Sequence, residues 1–313
     1  MPVDSFYHKL EVLTMEPTYV KDLGEIVEAN SVPYDEGRKI LKGVGADVSK
    51  MTARNTAYAR SVLGKDHEFS RNGNWIVEEV IYNLKGIENP VLLLTPGPVY
   101  HNPKIATDYH RNGKEIKLSD KRLAMPEDLK QYGKNWSEAI AKMAKKDYAS
   151  PLEALAFELP AHKTFEIPVE ELLGLNTDRL SDPKYFKNLS KETQVAAVLW
   201  KDQTKAYAEK VLKPKGIENV PFWLVSKDDA KSEKSAFSRA LWFRYVDGRS
   251  VLDGDDSLDY DYGVRGVRKN AEGGAQKIDE NPLLKRYNLS SLDELDKIVD
   301  AYKKAQVLFK EKQ

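Results

Sequence analysis

Six aspartates fall within fifteen residues of this chain: Asp247, Asp253, Asp255, Asp256, Asp259 and Asp261. Arg244, Tyr245, Arg249, Ser250, Ser257, Tyr260 and Tyr262 are interleaved with them or lie beside them. Such a set supports two kinds of chemistry. The oxygens of Asp253, Asp255, Ser257 and Asp259 recur at every second residue, as in loops that hold calcium. A helix–loop–helix calcium site, however, needs glycine at its sixth position and a bidentate glutamate at its twelfth, where this sequence has Leu258 and Val264. Crowded carboxylates repel one another unless a cation or arginines relieve them, and Arg244, Arg249 and Arg265 are the nearest arginines for that role. The second chemistry is recognition. Tyrosine offers rigid amphipathic contact area at little entropic cost, and small polar residues adapt their hydrogen bonds around it.

The candidate ligand-binding residues are therefore Arg244, Tyr245, Asp247, Arg249, Ser250, Asp253, Asp255, Asp256, Ser257, Asp259, Tyr260, Asp261 and Tyr262. All of these except Ser250 and Asp261 are expected to point outward on one contiguous face. No catalytic residue, metal ligand or cofactor is assigned. The competing readings are a metal-dependent enzyme using the Asp253–Asp261 carboxylates, and a structural accessory protein of a virus or phage.

The rest of the sequence offers little other chemistry. Phosphate-cradling glycine loops, paired zinc-ligand histidines on a helix and the serine-hydrolase elbow are all missing. The five histidines are scattered and read as surface or loop residues. Without cysteine, disulfides, thiolate metal sites and cysteine nucleophiles are excluded. Lys+Arg and Asp+Glu are equal at 49 each in 313 residues, so no basic excess points to nucleic acid. No apolar run approaches membrane-spanning length, and no signal peptide is evident at the N-terminus. A soluble protein is expected, of unspecified compartment and without membrane insertion.

The composition of the acidic stretch is itself a signal. From Ser235 to Arg268 there is no Lys, Glu, Gln or Met, although Lys and Glu are the commonest charged residues elsewhere. Strand preference accounts for some of that depletion but not for the enrichment in aspartate. Mutating the two adenines of an AAC codon reaches Asp, Tyr, Ser, Gly, Arg, Val, Leu, Phe and His, and never Lys, Glu, Gln, Met or Trp. Residues 243–262 use only the reachable set.

Local patterns indicate the elements that must position this stretch. Val20, Leu23, Ile26 and Val27 recur at helical spacing. Two further helices are expected, one in "YDEGRKILKGVG" and one in "SKMTARNTAYARSVLGK" capped by Gly64. "NWIVEEVIY" and "PVLLL" read as strands. "SPLEALAFELP" carries a helix start at Ser150, Pro151 and Glu153. A long amphipathic helix is expected from Ser190, with Val195, Val198, Leu199 and Ala206 buried. Strands follow at Val220 to Ser226, Arg239 to Gly248 and Tyr262 to Lys269, the last with a bulge at Gly266, and Trp223 and Trp242 read as core aromatics. A terminal helix begins at Ser291. "KGIEN" occurs at Lys85 and Lys215, each time before an apolar strand, as the same turn used twice.

The run "PFWLVS", "RALWFRYVDG", "YDYGVRGVRK" resembles the end of a C-type-lectin-fold domain of the formylglycine-generating-enzyme kind, the framework also used by variable proteins of diversity-generating retroelements. The resemblance covers residues 220–269. It implies an α+β, C-type-lectin-like fold with a variable segment near 240–268. The remainder, which shows no such resemblance, points to a divergent member, and its lysine-rich, cysteine-free composition suits an archaeal or viral source. The implied layout is a helical N-terminal region over 1–70, the lectin-like domain over 71–273 and a C-terminal helical tail over 274–313. It also implies a binding protein rather than an enzyme, whose partner is a protein or cell-surface molecule. The sequence departs from the pattern in having some forty residues after the segment. It also lacks the sugar-binding motif of calcium-dependent lectins and the copper-binding cysteines of the enzymes, so neither activity carries over.

Overall fold

A computed structural model describes residues 18–246, 249–258 and 263–268. The main elements in chain order are β1 (Thr18–Val20), β2 (Gly24–Ala29), α1 (Tyr34–Gly43), α2 (Ala53–Leu63), β3 (Asn74–Tyr82), β4 (Val91–Leu93), α3 (Pro103–Arg111), β5 (Ile116–Lys117), α4 (Trp136–Ala144), β6 (Ala156–Glu158), β7 (Phe165–Pro168), α5 (Lys191–Trp200), β8 (Asn219–Trp223), β9 (Phe237–Val246), β10 (Arg249–Asp253) and β11 (Val264–Arg268). The class is α+β, as expected. Strands β6-β4-β3-β9-β10-β8-β7 form one sheet in that order, with β5 paired to β9, and β1-β2-β11 form a second.

The large sheet is covered on both faces, which is why its central strands read as nearly continuous apolar runs. Along β9, Phe237, Leu241 and Phe243 enter one core with Trp200, Tyr207 and Phe222. Ala240 and Trp242 enter the other, with Trp75, Ile81 and Ile140. β3 is buried along its whole length and shifts register between Trp75 and Glu79. Trp242 is a core residue at 5% exposure. Trp223 is only half-buried, at the end of β8.

Several local expectations hold. Helix α1 lies where its pattern placed it, and α2 ends at Gly64 with φ 88°. Ser190 Oγ accepts from Thr193 N at 3.2 Å at the start of α5. Both copies of the repeat turn on a left-handed glycine, Gly86 at φ 77° and Gly216 at φ 68°, before β4 and β8.

Other expectations are corrected. Residues 18–29 form a hairpin, not a helix, with Asp22 at φ 64° and Gly24 at φ 116° in its turn. The apparent helical stripe is really a strand covered on both faces, since Ile26 enters a core with Phe69 and Val267 while Val27 enters the core of Trp75. The N-terminal region is thus not helical throughout, and it pairs with β11. That pairing runs unbroken from Val264↔Ala29 to Arg268↔Glu25, so Gly266 makes no bulge. Val264 and Val267 face opposite cores, which explains their odd spacing.

After Ser150 only one 3-10 turn forms, Pro151–Glu153, before the chain becomes β6. β4 is fully buried and needs a partner for its backbone groups, and β6 supplies one. The long helix from Ser190 breaks after Trp200, where Lys201 takes φ 51°, and continues as shorter turns in which Ala206 is only half-buried. The expected terminal helix from Ser291 lies outside the described residues.

Candidate binding site

The acidic stretch begins on β9, turns, and returns on β10 with Val251↔Arg244, Leu252↔Phe243 and Asp253↔Trp242 in register. β10 also pairs in parallel with β8, placing Asp253 beside Trp223. The chain then leaves the sheet through residues 254–258.

Residues outside the stretch hold this loop chiefly by its backbone. Gly254 N donates to Trp223 O at 3.0 Å. The buried Tyr82 hydroxyl donates to Gly254 O at 2.9 Å and accepts from Val225 N at 3.3 Å. Arg239 donates to the carbonyls of Asp255 and Asp256, the latter at 3.3 Å. Its Nε also donates to Glu115 at 2.9 Å. Burial works against the Arg239 charge, but the Glu115 partner outweighs it and raises the pKa. His110 Nδ1 accepts from Leu258 N at 2.9 Å and lies 3.3 Å from Ser257 Oγ. Leu258 O accepts from Tyr34 N at 3.3 Å. Gly254 is required here, because a Cβ would stand 2.9 Å from Val80 Cγ2.

The side chains of this loop differ in exposure. Asp255 is exposed, and Asp256 and Ser257 are half-buried. Arg244 is half-buried and lies over the Trp223 ring at 5.9 Å. For Tyr245, Arg249 and Ser250 only the strand placement is described, and Asp247, Asp259, Tyr260, Asp261 and Tyr262 lie outside the described residues.

Two expected roles are corrected. Asp253 does not face outward: it is 3% exposed and its Oδ1 accepts from Asp255 N at 3.1 Å. Arg265 does not compensate the aspartates. It is fully buried and paired with Glu28 at 2.7 Å. Arg239 lies beside Asp255 but bonds its main-chain carbonyl, and its own carboxylate partner is Glu115. The histidines are also not all superficial, since His110 is 6% exposed.

Burial, with Asp255 and Asp256 adding to it, pushes Asp253 up to about 8, so at neutral pH it is mostly protonated. A carboxyl whose folded pKa lies above its unfolded value stabilises the fold at low pH. That stability is lost as pH rises from about 4 through about 8. Asp253→Asn keeps the acceptor for Asp255 N and removes the titration. Its unfolding free energy in urea titrations, relative to the parent, is expected to improve between pH 5 and pH 8 by more than about 1 kcal/mol, one pKa unit being about 1.4 kcal/mol. A difference independent of pH would show that Asp253 is ionised throughout.

Two further carboxyls are buried beneath this region and belong to the frame. Glu79 accepts from Val99 N at 3.1 Å, Tyr100 N at 2.9 Å and Ser238 Oγ at 2.6 Å. Glu78 accepts from Ala53 N at 3.0 Å, at the start of α2. Burial pushes each up to about 7. Among the described residues no group of three His, Asp or Glu is placed to hold a metal ion, and no helix is long and apolar enough to cross a membrane.

The residues that sequence reasoning missed are Tyr82, His110, Glu115 and Arg239. Tyr82 meets the loop across 172 residues and His110 across 148. No local pattern marks such partners. The one available signal was Arg239 itself, a charge set among apolar residues at the start of a strand.

No family model matches the chain, and no curated protein matches it. A solved structure concerned with the accommodation of massive sequence variation in Nanoarchaeota by the C-type lectin fold is similar at 14% identity, with a TM-score of 0.47. The likeness covers 80% of this chain and 100% of that one.

Proposed function

We propose that this chain is a ligand-binding protein rather than an enzyme, with a C-type-lectin-like framework whose loop 254–258 and adjoining strand ends form a surface built to vary. The observation that carries this reading is the division of labour in the loop. Tyr82, Arg239, His110, Tyr34 and Trp223 grip its main-chain atoms, while the Asp255 side chain is exposed and those of Asp256 and Ser257 reach the surface half-buried. A loop held by its backbone keeps its shape when its side chains change. Arg244 and Ser257 belong to the same surface, and Asp253 is part of its support. The residue set reachable from mutated AAC codons favours diversification by a retroelement. The tyrosine, serine and aspartate content suits a protein or cell-surface partner.

The test is a combinatorial library at Asp255, Asp256, Ser257, Asp259 and Tyr260, drawn from the reachable set and sorted first for soluble expression and then for binding to unrelated folded proteins. Exposed polar positions change stability by under about 0.5 kcal/mol each, so most members are expected to fold and a minority to bind. Aggregation of most members would end the reading. At the nucleotide level, the retroelement part expects a near-copy of the DNA for residues 240–268, with adenines where the two differ, beside a reverse transcriptase gene.

A further inference from the structure

Among the described residues two arginines are buried completely, Arg60 on α2 and Arg265 on β11. A guanidinium stays charged at any ordinary pH, and a buried charge is costly unless it is paired. Arg265 has its carboxylate in Glu28. Arg60 has none within ion-pair distance among the described residues. It donates to Asn72 O at 3.1 Å, Phe243 O at 3.0 Å and Tyr207 Oη at 3.3 Å. It also lies over the Phe243 ring at 4.3 Å. Carbonyl dipoles and a ring face moderate this charge without neutralising it.

The same region holds three buried groups whose donors find no acceptor: Arg60 Nε, Arg265 Nη2 and Ser70 Oγ. They are neighbours. Arg265 Nη1 donates to Phe69 O at 3.1 Å, and Arg60 grips Asn72 O. Ser70 lies on the short stretch of chain between those two carbonyls. Burial is the largest influence lowering the Arg265 pKa and the Arg60 charge adds to it, while Glu28 and, from farther off, Glu68 oppose it.

We infer that Arg60, Ser70 and Arg265 form an internal site for one small monovalent anion of the halide class. One negative charge would balance the charge on Arg60, and a spherical acceptor suits donors as different as two guanidinium groups and a hydroxyl. A water molecule would satisfy the donors and leave the charge. The site lies under both ends of the candidate binding stretch, since Arg60 holds the carbonyl just before Arg244 and Arg265 sits on the strand that follows residue 262. It stands independently of the function proposed above.

The test is crystallography of the full chain purified and crystallised in sodium bromide, paired with thermal melts in bromide and in gluconate at equal ionic strength. An anomalous peak in contact with Arg60 and Arg265 is expected, together with a Tm higher by a few degrees in bromide. Ser70→Ala, a small change that leaves the charges in place, is expected to fold and to lose part of the bromide increment. Non-anomalous density at the site, or bromide peaks only on the surface, would overturn the inference. So would equal melting in the two salts.

Discussion

Glu28→Ala is expected to destabilise the protein by about 3–5 kcal/mol, the range for removing one partner of a buried ion pair. Glu28 is 3% exposed and Arg265 is fully buried, with Nε 2.7 Å from Oε2. Burial lowers the Arg265 pKa and Glu28 opposes that shift. Without Glu28 the charge would remain, because Arg265 is held over the Phe69 ring at 4.1 Å and donates to Asn74 Oδ1 at 3.2 Å. The cost therefore comes from the stranded cation more than from the lost bond. That distinction is measurable in urea. Adding Arg265→Met to Glu28→Ala should recover much of the loss, because a long apolar side chain fits beside Phe69. A single variant within about 1 kcal/mol of the parent would show that water reaches the pair.

Trp242→Ala is expected to cost a similar amount, about 3–5 kcal/mol, through lost burial and the cavity left behind. Its ring meets Trp75 edge-on at 4.9 Å and 66°. Gly73 lies against the other side of the ring, so close that a Cβ there would come within 2.6 Å. The neighbours that would have to collapse into the space are a second tryptophan and a sheet backbone, neither of which moves easily. Trp242 is also the cross-strand partner of Asp253, so the damage should reach the loop. Native-state hydrogen exchange at Leu258 N, which is bonded to His110, offers the readout. A variant that melts within a degree or two of the parent, with that amide still protected, would place the tryptophan outside the core.

Both predictions concern residues that support the candidate surface, and they separate its two layers. Glu28, Arg265 and Trp242 are expected to tolerate little. Asp255, Asp256 and Ser257, a few residues away in sequence, are expected to tolerate nearly anything polar.

What could be read from the sequence was what neighbouring residues decide among themselves. The start of α5 at Ser190, the end of α2 at Gly64 and the repeated glycine turns at Gly86 and Gly216 depend on contacts within a few residues. The acidic stretch was visible because its composition differs from the rest, and its placement at a strand end followed from the apolar runs beside it. Tertiary structure decided everything that joins distant segments. Residues 18–29 carry apolar spacing suited to a helix, yet they form strands because β11, some 240 residues later, offers a paired edge and cores on both faces. Asp253 and Asp255 are alike in sequence and differ by two positions. One is buried beside Trp223 and Trp242 in the sheet, where burial favours its protonated form, and the other meets solvent. Asp253 is the last residue of β10, still flanked by β8 and β9, whereas Asp255 lies beyond the sheet. Arg265 likewise looked like a surface cation until Glu28 and Phe69 were brought to it. Side-chain type sets what a residue can do, but burial and partners select which of those possibilities is realised, and both come from chain segments that no local pattern names.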